Sequence, residues 1–97
     1  VPTSLQNQIV NFEDVDSTPA AFILRGGLYA VTITATWGGG SVTLQRLARD
    51  GTTYVTVTDA FDDDAFQTIS LPPGTYRLLM ATATAMYADV TSITFGV

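Results

Sequence analysis

"LYAVTITATWGGGSVTLQRLA", residues 28–48, is the stretch that decides the fold. Its first half alternates with period two: Tyr29, Val31, Ile33, Ala35 and Trp37 fall on one side, Thr32, Thr34 and Thr36 on the other. A β-strand sends successive side chains to opposite faces, whereas a helix spreads such a pattern around its axis. The reading is a half-buried antiparallel strand with a Thr-lined wet face. Gly38–Gly40 then turns the chain, and "SVTLQRLA" returns as the second arm of a hairpin, with Val42 and Leu44 directed inward.

The same grammar extends in both directions. Upstream, "AFILRGG" (21–27) is a short apolar strand stopped by two glycines. Before it, residues 1–21 are polar and weakly patterned. Ile9, Val10 and Phe12 suit one short strand, "DVDSTP" (14–19) reads as loop, and the segment is expected to be an arm with at most one edge strand. Downstream, Asp50–Gly51 is the strongest short hairpin signal in the chain. "TYVTVT", "FQTISL", "TYRLLMATATA" and "YADVTSITFGV" supply further strands, and Pro72-Pro73-Gly74 supplies a turn. No window shows a helical stripe. The expected fold is all-β: a seven- to eight-stranded antiparallel sandwich or jelly roll over residues 22–97, preceded by the arm at 1–21.

The chain also echoes itself. "GLYAVTITATWGGGSVT" (27–43) and "GTYRLLMATATAMYADVT" (74–91) share Gly27/Gly74 and Tyr29/Tyr76 at an offset of 47. Ala35/Ala83, Thr36/Thr84, Val42/Val90 and Thr43/Thr91 match at 48. Two facing halves with pseudo-two-fold symmetry would produce this echo, and so would the resemblance of any two Thr- and Ala-rich strands.

Composition narrows the functional classes. The 97 residues make one domain, 46% hydrophobic and only 13% charged, against about 25% charged in an average protein. Thr and Ser must cover much of the outside, leaving apolar surface for a partner. The net charge is −5 and the only cations are Arg25, Arg46, Arg49 and Arg77, too sparse for a phosphate-binding stripe. Neither nucleic acid nor an anionic membrane is an expected partner. No basic, then apolar, opening segment and no apolar run of membrane-spanning length occur in these residues.

The inventory of reactive groups is thin. With no His, Cys or Lys there is no base for a Ser nucleophile and no thiolate or imidazole for zinc. Catalytic, cofactor and metal residues are therefore not expected, and the protein is read as a non-enzyme. "AFDDDAF" (60–66) raises one exception. Asp59, Asp62, Asp63 and Asp64 offer oxygens for a weak Ca²⁺ site, but adjacent carboxylates do not converge easily and no Gly relieves the bend. The alternative is a solvated loop whose Phe61 and Phe66 dip into the core or an interface. Trp37, Met86 and Tyr87 sit at matching strand tips, where aromatics cap a core, anchor an interface or stack on a sugar. Arg46 and Arg77 lie mid-strand and, if outward, would pair with acids across strands or across a subunit boundary.

Segments 24–57 and 69–93 resemble small proteins that tailed bacteriophages encode beside their capsid genes. The residues that carry the resemblance are Gly26-Gly27-x-Tyr29 opening a Thr-rich strand, "GGGSVTLQ", Asp50-Gly51-x-Thr53-Tyr54, "LPPGTYRL" and "ATATA-x-Y". The resemblance implies a virion structural protein: a head decoration or cement protein on the exterior of the phage head, made in the host cytoplasm. It would bind the major capsid protein and copies of itself as a dimer or trimer. The rival reading is a tail-fibre, receptor-binding or carbohydrate-binding β-sandwich module.

Overall fold

The computed structural model describes residues 8–93, so the first seven residues of the expected arm lie outside what it describes. The strands are β1 (Ile9–Val15), β2 (Phe22–Leu24), β3 (Gly27–Thr36), β4 (Ser41–Leu47), β5 (Tyr54–Thr56), β6 (Ala65–Leu71), β7 (Gly74–Ala81) and β8 (Thr84–Ser92). They form two four-stranded sheets, ordered β1-β8-β3-β6 and β2-β7-β4-β5, with every pairing antiparallel.

The pairings are nested. First pairs with last, β2 with β7, β3 with β6 and β4 with β5. The chain is thus one long hairpin with the Asp50–Gly51 turn at its tip, rolled until β3 meets β8 and β4 meets β7. That connectivity is a jelly roll, which selects between the two β architectures the sequence allowed.

The alternation of β3 holds in full: Tyr29, Val31 and Ile33 are buried while Thr32, Thr34 and Thr36 face out. Val42, Leu44, Tyr76 and Leu78 come from the other sheet to meet Met86, Ala88 and Val90. Each Val, Leu, Ile and Met among them contributes roughly 1.5–3 kcal/mol on full burial. Phe12 and Phe22 pack at 5.6 Å between ring centroids, and Phe22 stacks toward Tyr76, closing the β1/β2 side.

The turn at Gly38–Gly40 departs from expectation. It does not close a hairpin, because β3 and β4 lie in different sheets. It arches between the layers, and so does the matching turn between β7 and β8. The two arches press together: a Cβ on Gly40 would stand 2.1 Å from the Ala81 carbonyl oxygen and 2.5 Å from the Ala83 nitrogen. Only a residue without a side chain permits that approach.

The echoed residues occupy equivalent places. Tyr76 donates its hydroxyl to the Pro72 carbonyl at 2.6 Å, and Tyr29 donates to the Arg25 carbonyl, each four residues upstream. Both rings are buried, and burial raises both phenol pKa values. Exchanging β1–β4 with β5–β8 turns one sheet's order into the other's reversed. Any roll with nested pairing has that property, so the paired tyrosines are the more informative match.

Candidate functional surface

The aspartate loop has a structural task that its composition hides. Asp64 Oδ1 accepts the Trp37 indole N–H at 2.9 Å and the Ala35 amide at 3.3 Å, tying the loop to the end of β3. Asp63 Oδ1 accepts the Asp64 amide at 2.8 Å. Trp37 is half-buried against the core, so it caps the sandwich end. Among the described residues no three acidic side chains gather as a cation would need.

Two candidate interface residues, each also read as a core residue, lie in the core. Met86 is fully buried, because β8 alternates and its neighbour Tyr87 takes the outward position. Ala85, at φ 51°, accompanies a register shift that sets this parity, and its amide donates to Asp16 Oδ1 at 3.0 Å. Phe61 is only 7% exposed. It exchanges two backbone hydrogen bonds with Val42, at 2.8 and 2.7 Å, and so continues the line of β5 along β4.

Of the two mid-strand arginines, only Arg77 meets the outward condition. Arg46 shares the parity of Leu44 and Val42, and lies at the sandwich end with Nη2 donating to the Pro73 carbonyl at 2.8 Å. Its guanidinium fills the space a side chain at Gly74 would need, 2.9 Å from a Cβ there. Arg77 does face outward, but onto neutral groups: Nε donates to Gln45 Oε1 at 2.8 Å, and the guanidinium lies 4.0 Å from the Tyr54 ring centroid.

What remains accessible is surface. Phe66 and Tyr87 project from the outer face of the β1-β8-β3-β6 sheet among threonines, and Ile9 is exposed on the same sheet. Ile23 and Val55 are exposed on the short edge strands β2 and β5. Beside Tyr87 a shallow depression of about 270 Å³ is lined by Asn11, Glu13, Thr32, Thr34 and Asp89. The edge position of the Ala65–Leu71 strand is what residue types did not reveal. Its seven residues carry no charge, but neither does the central strand β3, so the sequence does not separate the two.

Comparison with protein families, curated proteins and solved structures finds no match for this chain.

Proposed function

We propose that this protein is a structural component of a tailed-phage virion, a head decoration protein that binds the outside of the capsid shell and strengthens it by contact alone. The observation that carries this reading is the distribution of exposed apolar side chains. Ile9, Phe66 and Tyr87 on one sheet and Ile23 and Val55 on the other are all more than half exposed. Contact area spread over two sides suits a protein wedged among neighbours better than one that closes a single cleft on a small molecule. The resemblance at "GGGSVTLQ" and "LPPGTYRL" and the jelly-roll topology support the same reading.

Stabilisation would follow from mass action: a ligand that binds assembled shell and not free subunits favours assembly. The test mixes purified protein with capsids that lack it and measures co-sedimentation and the temperature of shell disruption. Saturable binding with a raised disruption temperature is expected; no binding to any phage shell offered overturns the proposal.

The depression beside Tyr87 favours a second reading, glycan recognition, since an aromatic face flanked by carboxylates and hydroxyls suits a sugar ring. Saturable glycan binding that is lost in Tyr87→Ala would establish it in place of the first.

A further inference from the structure

We infer that the β6 edge is a self-association interface, through which two copies pair antiparallel about a two-fold axis near Thr68 and join their sheets into one. A sheet edge presents a row of free N–H and C=O groups, and proteins blunt edges that are not used. Three of the four edges here are blunted. Strands β2 and β5 are three residues each. Strand β1 carries Glu13 and Asp14 and loses register between Phe12 and Val15, with Asp14 at φ 52°.

The fourth edge has none of these devices. Strand β6 runs seven residues, Ala65–Leu71, without a charge, a proline or a bulge, and is in continuous register with β3 from Gly27↔Leu71 to Ile33↔Ala65. Among the described residues it pairs with β3 alone. Phe66, on its outer face, is 67% exposed.

Charge selects the occupant. The loops at one end of the roll carry Asp16, Asp62, Asp63 and Asp64, with Asp14 near that end of β1, whereas all four arginines lie in the opposite half, where Asp50 is the one loop carboxylate among the described residues. Antiparallel pairing reverses one copy against the other. The acidic start of one β6 then lies beside the end of the partner's, where Arg46 is held on the Pro73 carbonyl. Parallel pairing would set acid against acid. A second copy of this chain therefore matches the edge in hydrogen bonding, length and charge at once.

The flanks fix the extent. Asp62–Asp64 before the strand and Pro72–Pro73 after it confine pairing to these seven residues. Two-fold pairing uses the same edge of both copies, so the assembly closes as a dimer and does not grow into a fibre. This interface does not depend on capsid binding, and either idea can fail without the other.

Sedimentation velocity on the full chain should show a reversible monomer–dimer equilibrium in the micromolar range. Thr68 is exposed and faces outward opposite Ala30, so substitution there leaves the monomer fold intact. Thr68→Lys sets like charges together near the axis and should weaken the dimer about tenfold or more. Ile23→Lys, on the blunted β2 edge, should leave it unchanged. The chain has no cysteine, so Thr68→Cys is a clean second probe. Mild oxidation should give a covalent dimer much faster than it does for Ile23→Cys. A parent protein that stays monomeric at the highest concentrations, a Thr68→Lys dimer as tight as the parent's, or equal cross-linking of the two cysteine variants would each overturn the inference.

Discussion

Gly40 and Asp64 show how single residues hold one end of the roll together. Asp64 binds the indole of Trp37 and the backbone of Ala35, so a loop that reads as wet holds the start of the β3–β4 arch in place. Gly40 lets that arch touch the one between β7 and β8, and its constraint comes from backbone atoms, which cannot rotate away as a side chain can. Gly40→Ala should therefore cost about 3 kcal/mol or more, beyond the usual penalty of an overpacked core. Denaturant unfolding checks this, and a loss below about 1 kcal/mol would mean the arches separate easily. The parity of β8 is another residue-scale decision: Ala85 sets it, and it sends Met86 inward and Tyr87 out.

At the scale of the element, the β4–β5 hairpin is the tip on which the nested pairing turns. Asp50 accepts the amides of Thr52 and Thr53 at 2.9 Å each and the Thr53 hydroxyl at 2.7 Å, while Gly51 supplies a φ of 80°. These hydrogen bonds favour the ionised carboxylate and lower the pKa of Asp50 to about 2. An unfolded Asp titrates near 3.9. Because the folded value is the lower one, the contribution is present above about pH 4 and is lost as pH falls through about 2. Asp50→Ala should melt below the parent at neutral pH, and the gap should close across that window. A gap that persists unchanged at pH 2 would assign the effect to chain stiffness and not to the carboxylate.

Across the whole molecule, pairings such as Ile9↔Thr91 bring the two ends of the described chain together. Loop closure on that scale must precede most of the stabilising contacts, so folding in milliseconds to seconds is expected, as for other sandwiches. Trp37 is the only tryptophan and packs against the core at the end of β3, tied to the β5–β6 loop, so stopped-flow fluorescence reads the step directly. Complete recovery within microseconds would contradict the closure argument. The roll also sorts charge. Strand reversal sends the aspartate-rich loops to one end and the arginines to the other half, although the four arginines are scattered along the chain.

The strands were legible because period-two alternation and turn chemistry are local. Tyr29, Val31 and Ile33 against Thr32 and Thr34 specify a buried and a wet face without reference to any other strand, and Asp50–Gly51 specifies its own hairpin. Which strands pair, which arches cross between sheets, and that Met86, Phe61 and Arg46 turn inward depend on atoms far away in sequence. So does the exposure of β6, since an uncharged strand reads the same at the centre of a sheet as at its edge. Only the tertiary structure, by placing β3 on one side of it and no described strand on the other, makes that strand available to a partner.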